Sequence, residues 1–292
     1  MKFSSLLQDT AAIDVFISKF ADLKILKQHL FPEILTAASK LSKKRCCVKI
    51  EKEALNFISS SGLHDGGAWF SLSVPFCSQL FRKFDMVGMN PRNPEQNLIF
   101  FEFDIDSLVR ILPGGHCYLK LKLSKSQNDE PILGVEVRNP EADIVSHQIP
   151  ITIVLSKYWN TFARPTIGHR KMSISMPPPK SIARFIHAFR NMNARVIKFT
   201  ASSSGDLRIS TKIDNGEIDA SFSDLQTNPS ESDSQENTAN VQLMIRNIST
   251  LFQSFANTKS RVKMNIISNR MAEFNMHNED YLLSFIVGNV SD

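Results

Sequence analysis

A helix pattern that returns four times, each time followed by strands, is the feature that most constrains how this chain can fold. In every copy apolar residues fall at i, i+3, i+4 and i+7, which is the spacing of an amphipathic helix that packs one face on a core. The four stripes are Phe31, Ile34, Leu35 and Ala38; Ile105, Leu108, Val109 and Leu112; Ile182, Phe185, Ile186 and Phe189; and Ile248, Leu251, Phe252 and Phe255. The same spacing also predicts a helix over residues 13–20.

Each of the four stripes leads into strands with a period of two, for example "CYLKLKL" after the second and "ARVIKFTA" after the third. The stripes begin 74, 77 and 66 residues apart, and a period this long indicates duplicated half-domains rather than a solenoid. Four such units arranged in pairs predict an α+β fold of two similar domains, each with two helices on antiparallel sheets.

The domain boundaries follow from the composition between the units. Residues 1–150 would form the N-terminal domain and residues 171–292 the C-terminal domain. The segment 151–170 would connect them, because it begins as a strand and ends in a polar crossing that contains Pro and Gly. Residues 228–240, "NPSESDSQENTAN", have no apolar residue larger than Ala and predict a flexible loop inside the second domain.

The helix faces opposite the apolar stripes carry Lys and Arg with few carboxylates. These positions are Lys40, Arg110, Lys180, Arg184 and Arg246, and Lys44 follows at the C-terminal end of the first helix. Two interpretations fit them. They are ordinary solvated residues, of which those near a helix C-terminus complement its dipole, or they form a surface for an anionic partner. The whole chain, with 34 Lys and Arg against 29 Asp and Glu, favours anionic partners only mildly.

No catalytic or cofactor-binding motif occurs in the sequence. The phosphate-binding, zinc-protease, nucleophile-elbow and calcium-loop patterns are missing, and the seven His and four Cys have no ligand spacing. We therefore expect no cofactor, no metal and no enzymatic activity. His64 and Asp65 in "LHDGGAW" are best explained as a hairpin turn, and an enzyme with an unrecognised site there is the remaining alternative. No apolar run approaches the roughly 18 residues that predict a membrane span.

Residues 143–162, "DIVSHQIPITIVLSKYWNTF", resemble the segment that enters the interdomain connector in one protein family. This family comprises the Hus-type subunits of the heterotrimeric checkpoint sliding clamp, the nine-one-one complex. The opening "MKF", "EALNFI" over 53–58 and "MAEFNMHNEDYLLSFIV" over 271–287 resemble the same family in the same order. Together these matches span essentially the whole chain.

The resemblance implies a sliding-clamp fold in which three two-domain subunits close into a ring, with helices lining the hole and sheets forming the outer wall. It implies that the following residues face DNA: Lys40, Lys44, Arg110, Lys180, Arg184 and Arg246. The implied partners are two other clamp-like subunits, double-stranded DNA, an ATP-driven clamp loader, and checkpoint and repair proteins that dock near the connector. The implied location is the nucleus, with the cytoplasm as a second compartment.

Ring closure would pair the open sheet edges of neighbouring subunits, because an unpaired edge exposes N–H and C=O groups. By topology these edges are residues 143–149 and 217–225. The subunit-interface residues are then Ile144, Val145, His147, Ile149, Ile218, Ala220 and Phe222. An ordinary sheet edge protected by charge is an equally simple explanation of both strands.

One segment departs from the family pattern. Residues 21–31, "ADLKILKQHLF", add about ten residues and are followed by Pro32, so we expect either an elongated, kinked first helix or an inserted short helix. Two other functions stay open. The chain could form a homotrimeric replicative clamp, or it could be a protein-interaction adaptor without a DNA function.

Overall fold

The chain divides into two compact units. The computed structural model describes residues 22–25, 30–42, 44–76, 81–85, 97–112, 118–138, 143–168, 170, 172–214, 216–229, 238–267 and 270–290. Unit 1 comprises Met1–Ile58 and Ser73–Ala163, and unit 2 comprises Ser59–Leu72 and Arg164–Asp292. The break thus falls inside the segment 151–170. The short piece 59–72, which was expected in the first domain, groups with the second unit.

Four α-helices, two short 3-10 helices (His64–Gly66 and Ser156–Phe162) and nineteen strands are assigned among the described residues. The α-helices are α1 (Leu30–Ser42), α2 (Ile105–Ile111), α3 (Pro179–Asn191) and α4 (Ile245–Ser254). The strands up to the connector are β1 (Asp22–Ile25), β2 (Arg45–Ile50), β3 (Ala54–Ser60), β4 (Ala68–Pro75), β5 (Phe81–Asp85), β6 (Ile99–Asp104), β7 (Tyr118–Lys125), β8 (Pro131–Arg138), β9 (Ile144–Pro150) and β10 (Thr152–Ile153). The later strands are β11 (Met172–Ser175), β12 (Val196–Ser202), β13 (Leu207–Ile213), β14 (Gly216–Phe222), β15 (Thr227–Pro229), β16 (Thr238–Met244), β17 (Arg261–Ile267), β18 (Met271–His277) and β19 (Leu282–Gly288).

Unit 1 has two antiparallel strand groups and two helices. One group has the order β5-β1-β7-β8-β9, and the other has the order β10-β6-β2-β3. Side chains alternate between the two faces of a strand, so apolar residues at every second position give one apolar face. In β8 these residues are Leu133, Val135 and Val137, all buried. Helix α1 packs on this core through Phe31, whose aromatic ring lies 6.5 Å from that of Phe57.

Unit 2 repeats this plan with β14-β13-β12-β16 and β19-β18-β17-β11-β15. Its core centres on Phe274 of β18. The ring of Phe274 lies 5.9 Å from Phe199 of β12 and 5.8 Å from Phe252 of α4, both edge to face. Helix and strands therefore share one aromatic cluster, and all three residues are fully buried.

The internal repeat is visible in one hydrogen bond that each unit makes. In unit 1 the N–H of Ile105, the first residue of α2, donates to the carbonyl of Lys44 at 3.2 Å. In unit 2 the N–H of Ile245, the first residue of α4, donates to the carbonyl of Arg195 at 2.9 Å. Lys44 and Arg195 each lie between the first helix of the unit and the strand that follows it. The structure thus pairs Ile105 with Ile245, and not with Ile248 as the stripes suggested.

Helix α3 differs in one respect from the predicted stripe. Pro179 at its first position suits a helix start, since its missing N–H needs no partner there. Ile182, Ile186 and Phe189 are buried as predicted, whereas Phe185 is 39% exposed. The aromatic ring of Phe185 lies edge to face with that of Phe222, at 5.5 Å between ring centroids, and Phe222 is in β14, the end strand of its sheet. Phe185 therefore lies at the edge of the core rather than in it.

Two other expectations were wrong. Asp22–Ile25 is neither a kinked helix nor an inserted one; it is strand β1, paired with β7 and β5, and the alternation in "DLKI" is a strand pattern that the helical reading overlooked. The predicted 228–240 loop is shorter, because β15 and β16 extend into it from both ends.

The remaining sequence expectations divide between confirmed and untested. Residues 64–66 form a turn at the tip of the β3–β4 hairpin, as predicted. The predicted helix over 13–20 and residues 230–237 lie outside the described residues.

Candidate nucleic-acid interface

The six predicted DNA-facing cations are exposed on or next to the helices. Lys40 lies in α1, Arg110 in α2, Lys180 and Arg184 in α3, and Arg246 in α4; Lys44 follows α1. Each helix buries most of its apolar stripe, and the cations occupy the side that the core leaves free. Within each unit, the two helices also contact one another.

Arg110 is the most constrained of the six. Asp104 caps α2 by accepting a hydrogen bond from the N–H of Asp106 at 3.0 Å, as side chains at helix starts do. The second oxygen of Asp104 lies 3.9 Å from the Arg110 guanidinium, which also donates to Ser107 Oγ at 3.1 Å. The Arg110 side chain is still 70% exposed, so this pairing is worth little and leaves the guanidinium available to an anion.

The other five cations have no ion pair with a carboxylate of any described residue. On α3, Lys180 and Arg184 are four residues apart and lie on one face. Further along the same face, the side chains of Asn191 and His187 are hydrogen-bonded at 3.2 Å. In unit 1, Lys44 adopts a φ of 99°, which turns the chain sharply between α1 and β2.

The structure adds Arg190 and Arg195 to this basic surface of unit 2. Both are exposed, at the end of α3 and in the turn after it, and neither has an ion pair among the described residues. The sequence does contain a signal for them. Residues 144–205 hold nine Lys and Arg and no Asp or Glu. A stretch this long without a carboxylate leaves its cations unneutralised by their chain neighbours.

The chemistry of these helix faces suits attraction to phosphates without sequence readout. Long, exposed cations neutralise backbone charge and release counterions, and this attraction does not depend on base sequence. The aromatic side chains nearest to the helices mostly face the core, as Phe189, Phe252 and Phe274 do. The surface therefore attracts polyanions in general.

The first predicted interface strand, β9, is an edge strand of its sheet among the described strands. The N–H of Ile151 donates to Pro131 of β8 at 3.2 Å. Main-chain groups alternate in direction along an antiparallel strand, so those of Val145, His147 and Ile149 face β8. The open main-chain groups belong to three other residues: Ile144, Ser146 and Gln148. Ile144 and Val145 are each 53% exposed, while Ile149 is buried.

The second predicted interface strand, β14, is likewise an edge strand. The N–H of Ser202 donates to the carbonyl of Asp206 at 2.9 Å. Because main-chain groups alternate in direction, this bond shows which residues of β13 point their N–H and C=O groups to β12 and which point them to β14. By the same alternation, the main-chain groups of Ile218, Ala220 and Phe222 are hydrogen-bonded to β13. Glu217, Asp219 and Ser221 are the residues that present open main-chain groups. Apolar alternation in the sequence reveals side-chain faces and not N–H direction, so it missed these three.

The two halves of the connector make different contacts. In unit 1, the Trp159 indole stacks on Phe100 at 4.8 Å and donates from Nε1 to the carbonyl of Val154 at 2.9 Å. In unit 2, the Arg164 guanidinium donates to Oε1 of Glu273, whose side chain is fully buried. Nothing in the sequence around Arg164 indicated its contact with Glu273.

The described residues hold no cluster of three or more His, Cys, Asp and Glu side chains that could bind a metal ion. Cys46 and Cys47 of β2 are buried, and burial raises the pKa of both thiols. Such thiols stay protonated and poorly nucleophilic at neutral pH. Within the described ranges, no helix is both long and apolar enough to span a membrane.

This arrangement of two repeated helix-and-sheet units is the fold of sliding clamps. The Proliferating Cellular Nuclear Antigen of Entamoeba histolytica superposes with a TM-score of 0.71 at 12% identity, covering 93% of this chain and 99% of that one. PCNA of Thermococcus kodakaraensis superposes with a TM-score of 0.69 at 13% identity, covering 92% of this chain and 99% of that one.

The sequence identifies the family to which the chain belongs within this fold. The family described as Hus1-like protein matches residues 16–291, and the chain belongs to that family. The human Checkpoint protein HUS1 is 26% identical over 269 residues, which is 88% of this chain and 93% of the relative. Checkpoint protein hus1 of Schizosaccharomyces pombe is 23% identical over 239 residues, covering 75% of this chain and 79% of that relative. The chain is thus a homologue of checkpoint proteins with a sliding-clamp fold.

Proposed function

We propose that this chain is one subunit of a heterotrimeric checkpoint clamp that encircles double-stranded DNA in the nucleus. The subunit has no enzymatic role and serves as a platform for DNA-damage signalling and repair proteins, which dock near the connector. The observation that carries the proposal is the exposed basic side of α1–α4, where five of the six predicted cations have no ion pair among the described residues, in a member of the Hus1-like family. Enclosure together with diffuse phosphate attraction holds the clamp on DNA without reading its sequence.

Assembly would use the two open edges. A neighbouring subunit pairs with β9 through the main-chain groups of Ile144, Ser146 and Gln148, and a second neighbour pairs with β14 through those of Glu217, Asp219 and Ser221. Main-chain pairing satisfies groups that an exposed edge leaves open, and the half-exposed Ile144 and Val145 add apolar contact at the first joint. Because the chain has no phosphate-binding loop of its own, an external ATP-driven loader opens and closes the ring.

The test is retention of the assembled ring on closed circular DNA. Arg110, Lys180, Arg184 and Arg246 are changed together to Glu, and the complex is then challenged with moderate salt. We expect retention to be lost while the three subunits still co-purify. The matched control reverses four exposed cations of the strands and turns: Lys198, Lys212, Lys263 and Arg270. If the helix variant were retained on DNA as well as the control variant is, the result would favour the adaptor function instead.

Mass measurement of the purified chain separates the proposal from a homotrimeric replicative clamp. A chain that remains monomeric alone and forms a three-membered ring only with two different clamp-like subunits supports the heterotrimer. A stable trimer of this chain alone would favour the replicative clamp.

A further inference from the structure

Glu273 is buried on the face of β18 that points away from the core. Ala272, Phe274 and Met276 alternate toward the core, so Glu273 lies on the opposite, outer face of the sheet. An outer-face residue is normally solvated, yet Glu273 is 0% exposed. A buried carboxylate is costly unless it is paired and hydrogen-bonded. The residues around Glu273 must therefore supply a counter-charge and hydrogen-bond donors.

Both oxygens of Glu273 are satisfied by side chains from three directions. Asn265 Nδ2 donates to Oε2 at 2.8 Å from the adjacent strand β17. Ser284 Oγ donates to Oε1 at 3.0 Å from β19, and the Arg164 guanidinium donates to the same oxygen. Ser173 Oγ of β11 holds the Asn265 amide by donating to its Oδ1 at 2.6 Å. We call these five residues the connector anchor.

Arg164 is the only member of the connector anchor that is not on a strand. Residues 164–168 make no main-chain hydrogen bond among the described residues, so secondary structure does not hold them. Within that described segment the Arg164 guanidinium is the one polar tie to the sheet, and it is 49% exposed on its outer side. The other four members are fixed in the sheet by strand pairing.

We propose that Glu273 positions the second half of the connector by binding Arg164, so that residues 164–168 form a fixed strap on the sheet and not a free loop. The three strand residues other than Glu273 pre-orient its carboxylate, and the carboxylate holds the guanidinium. The strap stays closed because its release would leave a buried carboxylate without its counter-charge. This inference rests on the proposed function only for its consequence: a docking protein meets a preformed segment and loses less to ordering it.

A nitroxide label at the exposed position 166 measures the mobility of the strap. Thr166→Cys is made in the full chain with Cys77→Ser and Cys117→Ser, since the buried Cys46 and Cys47 are protected from labelling. We expect a slow-motion component in the label's EPR spectrum. Arg164→Gln should lose that component, and Arg164→Lys should keep most of it because the charged donor remains. Arg170→Gln, at an exposed cation without an ion pair among the described residues, is the matched control.

Unchanged spectra in Arg164→Gln would overturn the inference, as would an equal loss in Arg170→Gln. Thermal unfolding of each variant distinguishes local release from general destabilisation, since the spectra are recorded far below the unfolding transition. Tryptic cleavage after Arg170 is a second readout, compared among the variants that keep Arg170, and should be faster in Arg164→Gln than in Arg164→Lys or in the chain with native Arg164. Neither measurement requires DNA or the other subunits, so a failure of the DNA-retention test leaves this result intact, and the reverse also holds.

Discussion

Replacing Lys180 and Arg184 by Ala should weaken the salt dependence of DNA binding by a predictable amount. Both residues are exposed on one face of α3 and have no carboxylate partner among the described residues. Each phosphate that a cation neutralises contributes about 0.9 to the slope of log K against log salt. A fourfold rise in salt therefore weakens binding by about 3.5-fold for each such contact.

The double variant should thus lower the slope by about 1.8, if each side chain serves one phosphate. The loss of affinity between about 50 and about 200 mM salt then becomes about 12-fold smaller than in the wild type. Fluorescence anisotropy of labelled duplex DNA, titrated with the assembled complex at several salt concentrations, gives this slope directly.

The matched control for this prediction is Lys198→Ala with Lys212→Ala. These cations are exposed on the four-stranded sheet, on the strand face opposite the buried Ile197 and Phe199. Their loss changes the net charge equally and should leave the slope near the wild-type value. If the α3 variant has the wild-type slope while the complex remains assembled, α3 does not face the phosphates, and the reasoning from its exposed cations is refuted.

Three further predictions concern stability. Asp104→Ala removes the cap of α2 and should cost about 1 kcal/mol, measured by urea unfolding. Phe274→Ala removes the centre of the unit 2 aromatic cluster and should cost about 3–5 kcal/mol, visible as a large shift of the thermal transition. Burial raises the pKa of Cys46 and Cys47 above the ordinary value of 9.0, so the unfolded chain ionises first as pH rises. Ionisation of these thiols should leave the free energy of unfolding unchanged well below pH 9.0. Above pH 9.0 it should lower the free energy of unfolding by up to about 1.4 kcal/mol per thiol and pH unit.

Each stability prediction has its own comparison. Asp104→Asn keeps a capping oxygen and should recover most of the loss; no recovery would mean that the cap is not the cause. Phe274→Leu keeps most of the volume and should cost clearly less than Ala. Replacing Cys46 and Cys47 by Val should remove their part of the alkaline decline, and a decline of unchanged steepness would contradict the assignment.

Much of the fold could be predicted from the sequence because short-range patterns carry it. The stripe of Ile182, Ile186 and Phe189 is buried as its spacing predicted. The prediction failed where one pattern resembled another. Phe185 matched the stripe, but the sheet beneath α3 ends at β14 and covers only part of its aromatic ring. In residues 22–25, a four-residue strand is too short to outweigh the helical spacing around it.

The candidate site was only partly predictable. Exposed cations on helix faces follow from periodicity, and the structure places all six predicted ones on the surface. The connector anchor could not be predicted, because Arg164 and Glu273 are 109 residues apart in the chain. In the sequence Glu273 is one acidic residue in an alternating strand, where a solvated carboxylate is the ordinary expectation.

The piece Ser59–Leu72 makes this chain hard to divide. Asn247 Nδ2 donates to the carbonyl of Gly66 at 2.6 Å, and Gly288 N–H donates to that of Gly67 at 3.0 Å. A Cβ on Gly66 would come within 2.5 Å of Met244 Cγ, so only glycine fits that contact. Cleaving the polypeptide once after Ala163 would carry this hairpin tip away with the N-terminal fragment and strip the C-terminal fragment of part of its own interior. A gene split at that point would therefore encode a C-terminal fragment that lacks part of its own unit, and we expect that fragment to be less stable than the same unit in the intact chain.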